Sequence, residues 1–302
     1  MNLHLQPDTF ENAIVGASEQ LRIPVSVVEK DYYVTLFLKK FVEKQPEFIF
    51  KGGTSLSKCQ RIIKRFSEDI DLNMWGEEKP TTGERKKIKD KVIATIEELG
   101  FELLNPEKIG SRYDLNKYEI KYPMVNAGAY LKSEIIVETA IFFPAYPVEM
   151  LEADCYVYQY LRSIDRMDII DKYDLHPFKL KVQSLDRTLV DKVFALCDYY
   201  LRGNLDRHSR HIYDIYKLLE KVELNDDFKM LIEQVRDVRR RNVLKCPSAQ
   251  DDVNVTDILK DIISNRAFEA DYENNTKKLL YEEVSYDAAA KALTVVAESG
   301  LF

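Results

Sequence analysis

Apolar positions recur at three- and four-residue intervals through VSVVEKDYYVTLFLKKF (residues 25–41). That spacing predicts an amphipathic helix, and Pro24 suits its start. EFIF (47–50) is a short apolar run halted by Gly52-Gly53, and TSLSKCQRIIKR (54–65) behind it returns to helical spacing with Thr54 as its cap. In DIDLNM (69–74), Asp69, Asp71 and Asn73 alternate with Ile70, Leu72 and Met74, which is the period of a strand with one polar and one apolar face. A polar connection at 76–89 leads into a helix through KVIATIEELG, stopped by Gly100, and YDLNKYEIKYP (113–123) and EIIVETAIFF (134–143) read as strands. After about residue 165 the texture changes. SLDRTLVDKVFALCDYYLRG, HIYDIYKLLEKV, DDFKMLIEQVRDVRRR and AFEADYENNTKKLLYEEV all carry helical spacing. The expected fold is α/β (α+β), a small mixed sheet flanked by helices over residues 1–165 and a helical domain over 166–302, the boundary lying in the stretch 160–178. A chain of 302 residues is long enough for two such domains.

Composition narrows the class. With 45% hydrophobic and 31% charged residues, ten Gly and ten Pro, the chain has the make-up of a folded globular protein. It has no apolar run of bilayer-spanning length, and MNLHLQPDTFEN lacks the basic and apolar regions of a signal peptide, so a cytoplasmic location without membrane contact is expected. Cys59, Cys155, Cys197 and Cys246 are single and far apart, so buried thiols are expected in place of disulfides or a zinc site. Net charge is 44 − 51 = −7, which speaks against non-specific nucleic-acid binding. Two local clusters offset it: Lys51, Lys58, Arg61, Lys64 and Arg65, and then Arg236, Arg239, Arg240, Arg241 and Lys245.

The chemistry centres on Gly52-Gly53-Thr54 followed, a helix length later, by Asp69-Ile70-Asp71. Residues two apart on a strand share a face, so Asp69 and Asp71 can jointly hold divalent cations through hard oxygen ligands. Gly52 and Gly53 permit close backbone approach, and the N–H groups that open the next helix favour an anion such as a triphosphate. Lys51 and Lys58 flank this turn as candidate phosphate contacts, and Ser67 stands just before the acidic pair as a candidate nucleotide contact. A lone DxD recurs by chance in acidic proteins; the strand, glycine turn and helix upstream give this one its weight.

The run FIFKGGTSLSKCQRIIKRFSEDIDLNM resembles the nucleotidyltransferase signature of the AbiE-type (AbiEii/AbiGii) abortive-infection toxins, and VEKDYYVTLFL (28–38) is similar to that family as well. LVDKVFALCDYYLRG and RHIYDIYKL resemble its later motifs. The resemblance implies a polymerase-β-like fold and an NTP-dependent, two-metal nucleotidyltransferase using Mg²⁺ or Mn²⁺. It also implies a cognate antitoxin, a role in abortive infection and phage defence, and a cellular acceptor, with the 3′ end of tRNA the leading candidate. Such transferases use a third carboxylate on a neighbouring strand to help deprotonate the acceptor hydroxyl. EIIVE offers Glu138, the favoured residue, or Glu134. In the later motifs the resemblance places Lys192 and Asp214 in the active cleft, the lysine suited to the β/γ-phosphates and the carboxylate holding it or contacting nucleotide. Where relatives often show Arg-Asp, this chain has Arg210-His211, which leaves a second acidic role there without a residue; a histidine at a helix start more often caps or packs. Transfer to a protein or small-molecule hydroxyl, and a non-catalytic NTP-binding interaction module, stay open as alternatives.

Overall fold

The structure, a computed structural model, describes residues 1–67, 69–75, 78–126 and 132–302. Glu68 of the RFSEDIDL run and Gly76-Glu77 of the polar connection lie outside the described residues. The chain forms two compact units, Met1–Arg61 with Ser67–Val182 and Ile62–Phe66 with Gln183–Phe302.

In the first unit α1 (Pro7–Leu21) and α2 (Val25–Lys44) are separated at Arg22, which adopts left-handed backbone (φ 56°), and α2 resumes behind Pro24 at φ −54°. There follow β1 (Ile49–Lys51), α3 (Gly52–Lys58), β2 (Asp69–Asn73) and α4 (Thr82–Glu98). A reciprocal capping box between Thr81 and Glu84 opens α4. The rest of the unit is β3 (Glu102–Leu103), β4 (Leu115–Lys121), β5 (Glu134–Ala140), β6 (Val148–Ala153), α5 (Tyr156–Ser163), α6 (Met167–Lys172) and β7 (Phe178–Gln183). The strands form one mixed seven-stranded sheet in the order β3-β4-β5-β2-β1-β7-β6, with β2 parallel to β5 and antiparallel to β1.

Side-chain alternation decides which face of this sheet carries chemistry. Ile70 and Leu72 of β2 and Ile135 and Val137 of β5 are fully buried in one core with Phe37 and Phe41 of α2. The residues between them therefore point to the opposite face. Two expectations are corrected. The helix expected across residues 54–65 closes at Lys58, because Arg61 takes left-handed backbone (φ 55°), and Thr54 lies inside α3 instead of capping it. The division between the units falls at Val182, within ten residues of the boundary stretch read from the sequence, and β7 just before it pairs in parallel with β1.

The second unit is built from α7 (Leu185–Leu201), α8 (Arg210–Leu219), α9 (Asp226–Arg239), α10 (Val255–Ser264), a single turn α11 (Glu269–Asp271) and α12 (Tyr286–Glu298). Ser184, Asn225, Asn254 and Ser285 cap α7, α9, α10 and α12 by accepting from backbone N–H groups of the first turn. The helix expected across 267–284 is instead α11, a π turn at Tyr272–Thr276 and a 3₁₀ turn at Lys277–Leu279. The Ile62–Phe66 segment belongs to this unit through Phe66 N–H to the Leu279 carbonyl and Tyr281 N–H to the Lys64 carbonyl, each 2.8 Å. All four cysteines carry free thiols, three of them buried. Among the described residues no helix is long and apolar enough to cross a membrane.

Candidate active site

The acidic residues of the DxD run meet a third carboxylate through strand register. Asp71 is paired with Lys51 of β1 on one side and with Glu138 of β5 on the other, and Glu138 is in turn paired with Lys117 of β4. Paired residues project to the same face, with Cβ atoms roughly 4.5–5.5 Å apart. Lys51, Asp71, Glu138 and Lys117 thus form one row across the sheet, with Asp69 two positions along β2 on the same face. Glu134 shares that face but pairs with Lys121 at the start of β5, before β2 begins opposite, so register brings Glu138 and not Glu134 beside the aspartates.

Burial, and then the charges of Asp71 and Asp69, raise the Glu138 carboxyl above the usual range, with Lys117 and Lys51 opposing. This excess of negative charge is what a divalent cation relieves, and the donors are the hard oxygens that Mg²⁺ or Mn²⁺ takes. In chemistry and register the residues suit such an ion. Among the described residues no three His, Cys, Asp or Glu side chains already stand in position to hold a metal together.

Gly52 is shaped by this row. Its backbone is left-handed (φ 76°), and a Cβ there would lie 2.0 Å from Asp71 Oδ2 and 2.9 Å from its Cγ. Gly52→Ala is expected to cost about 1–2 kcal/mol from the backbone alone and to turn Asp71 out of place. Transfer should fall about 10²-fold, the scale of a 1 Å misplacement. Thermal unfolding and a transfer assay check this; a fully active, equally stable variant would sink it. Gly53 follows within α3. Thr54, buried in the same helix, donates its hydroxyl to the Asp69 carbonyl (2.5 Å) and lies 3.0 Å from the Ser67 hydroxyl. Both side chains therefore fasten α3 to the start of β2.

The first basic cluster is largely spent on internal partners. Lys58 is buried and donates to Asp31 Oδ1 (2.5 Å), the Thr35 hydroxyl (2.7 Å) and the Asp154 carbonyl (3.0 Å). An ammonium has three N–H donors, so Lys58 has none left for a phosphate. Arg61 pairs with Asp154 at 2.6 Å. A cation not singled out from the sequence, Lys132, stands 3.2 Å from Asp69 Oδ1.

In the second unit Lys192 and Asp214 meet on facing helices. Asp214 is fully buried; it accepts from Lys192 Nζ at 2.5 Å and from both Nε and an Nη of Arg65, at 2.6 and 2.7 Å. Burial alone would raise its carboxyl, but Arg65 and then Lys192 hold it well below the usual carboxylate range. Burial pushes the Lys192 ammonium down, with Asp214 opposing. Enclosed in this way, Asp214 has both carboxylate oxygens engaged by Arg65 and Lys192. His211 lies in a group of parallel rings, 5.7 Å from Tyr199, whose face His208 covers at 3.4 Å. Burial, then Lys192 and Arg210, push its imidazole well below its usual value, so it packs as a neutral ring.

Residues 36–293 match the family model described as nucleotidyl transferase AbiEii toxin, type IV toxin–antitoxin system. The chain belongs to the AbiEii toxin family. It is a nucleotidyltransferase toxin of a type IV toxin–antitoxin system, and membership implies an NTP substrate and an antitoxin partner. No curated protein matches the chain. The mixed α/β fold is the one expected of a nucleotidyltransferase.

Within this AbiEii chain, sequence reading missed Arg65 as the partner of Asp214 and Lys132 as the neighbour of Asp69. Arg65 was legible only as one of five cations in a basic run. Its signal was Asp214, one of several buried aspartates, which lies far along the chain and needs a counter-charge that periodicity does not pair.

Proposed function

We propose that this AbiEii toxin transfers a nucleotide from an NTP to the 3′ end of tRNA, with Asp69, Asp71 and Glu138 holding Mg²⁺ or Mn²⁺. The observation that carries the reading is the in-register row Lys51, Asp71, Glu138 on one face of the sheet, with Asp69 beside it. When bound, the ions neutralise the triphosphate and favour in-line displacement of pyrophosphate. The chain's own groups do the rest. Glu138, beside Asp71 in the row, accepts the proton of the acceptor hydroxyl. Lys51, across the row, faces the developing negative charge. Gly52 and Gly53 let the triphosphate approach the backbone, and Thr54 with Ser67 keeps that turn against β2. Free thiols and the absence of a membrane-crossing helix among the described residues support action in the cytoplasm.

A protein hydroxyl as acceptor is the second reading. It is favoured by the burial of Lys58, Arg65 and Arg239 in ion pairs with Asp31, Asp214 and Asp198. Those pairs remove much of the positive charge that a nucleic-acid surface needs on a chain of net charge −7. Incubation with each α-³²P-labelled NTP, Mg²⁺, total tRNA and cell extract tests both. Label at tRNA 3′ ends that vanishes with EDTA supports the first reading, and label on protein alone moves the reading to the second. NTP binding with no transfer to any acceptor would sink both in favour of a binding module.

A further inference from the structure

Three consecutive charged residues of α2, Glu29-Lys30-Asp31, are turned inward, and only Asp31 has been accounted for, as the partner of Lys58. Glu29 is 0% exposed. Its Oε1 accepts from Val125 N–H at 2.7 Å, and its Oε2 accepts from the N–H and side-chain amide of Asn126 at 2.8 and 2.9 Å. Lys30 is 1% exposed and donates to the Lys132 carbonyl at 2.8 Å. A buried ion costs several kcal/mol unless its hydrogen bonds are made, so both groups strongly favour the backbone they hold. Together they pin the two described ends, Val125-Asn126 and Lys132, of one segment between β4 and β5 to adjacent residues of the same helix. The side chain carried by the pinned Lys132 then lies 3.2 Å from Asp69 Oδ1.

We propose that Glu29 and Lys30 are positioning residues that deliver Lys132 to Asp69, and that Lys132 is a built-in counter-cation which weakens divalent-ion binding at the DxD site. The inference rests on the reading of Asp69 and Asp71 as metal ligands. In the apo protein the ammonium offsets part of the repulsion between Asp69, Asp71 and Glu138. A divalent ion arriving at Asp69 meets that ammonium as a like charge and must displace it. The toxin thereby holds a cation requirement that α2, far along the sequence from the acidic strand, tunes.

The test is calorimetric Mn²⁺ titration of the full chain without nucleotide or acceptor. Wild-type binding should be lost in Asp71→Ala. Lys132→Met should bind Mn²⁺ about fivefold more tightly, the scale of one partly exposed charge contact. Glu29→Gln and Lys30→Met should each tighten binding in the wild-type background and change nothing when combined with Lys132→Met. Equal or weaker binding by Lys132→Met overturns the role given to Lys132. Shifts from Glu29→Gln or Lys30→Met that persist in the Lys132→Met background overturn the positioning role, since loss of general stability would act alike in both. Wild-type protein that binds no Mn²⁺, or Asp71→Ala that binds it normally, removes the metal reading of the site and this inference with it. With Asp71-dependent binding intact, any other failure belongs to this inference alone.

Discussion

Asp71→Ala should reduce nucleotide transfer by on the order of 10³-fold or more while leaving the fold within about 1 kcal/mol of wild type. The reason is the place of Asp71 in the carboxylate row. It is only partly buried and stands in register with Lys51 on one side and Glu138 on the other, so its removal opens no core cavity, and the repulsion it relieves from Glu138 offsets the attraction it gives up to Lys51. Each such cross-strand pair is on the scale of up to about 1 kcal/mol. A second readout follows from electrostatics. Burial and then Asp71 are the leading causes that raise the Glu138 carboxyl, so in the variant its titration should move back toward an ordinary glutamate. A ¹³C-detected titration of Glu138, with urea unfolding and a radiolabel transfer assay, covers all three effects. Full activity in the folded variant would remove Asp71 from the site. Loss of activity with loss of folding would show that the row is structural.

Asp214→Ala is expected to destabilise the helical unit by roughly 3–5 kcal/mol, the range for breaking a buried ion pair from one side. The variant leaves Arg65, 2% exposed, and Lys192, 7% exposed, without their shared carboxylate. The effect has a defined pH signature. The Asp214 carboxyl is held far below its unfolded value, so its stabilisation is fully present above an unfolded pKa of about 4 and is lost as pH falls from there toward the depressed folded value. The stability gap between wild type and variant should therefore be widest at neutral pH and should narrow below about pH 4. Hydrogen exchange of α7 and α8 peptides, with urea unfolding at pH 7 and pH 3, measures it. A gap under about 1 kcal/mol, or one independent of pH, would mean that the triad behaves as a surface pair.

Much of the local structure was legible. Alternation marked β2 and β5, three- and four-residue spacing marked α2, α4, α7 and α8, and Gly52-Gly53 marked a close backbone approach. Errors fell where local spacing conflicts with tertiary demands. QRIIKR carries helical spacing, yet Arg61 breaks the helix and Ile62–Phe66 belong to the helical unit, where Arg65 answers Asp214. FKLKVQ was not singled out as a strand, because a strand pairing in parallel with β1 has no neighbour in sequence to announce it. The two basic clusters looked like surface, but Lys58, Arg65 and Arg239 are buried counter-ions.

What the sequence by itself determined is the set of parts: a glycine turn, an acidic strand, candidate third carboxylates, a helical second half and a family signature. These rest on local rules, namely periodicity, turn chemistry and the face-sharing of residues two apart. Only the tertiary structure decided the pairings. It set Glu138 beside Asp71 in preference to Glu134, brought Lys132 to Asp69, and consumed Lys58 in a buried cluster with Asp31. Strand register and burial join residues far apart in the chain. A charge is committed to an internal partner only when the packed core removes water as the alternative.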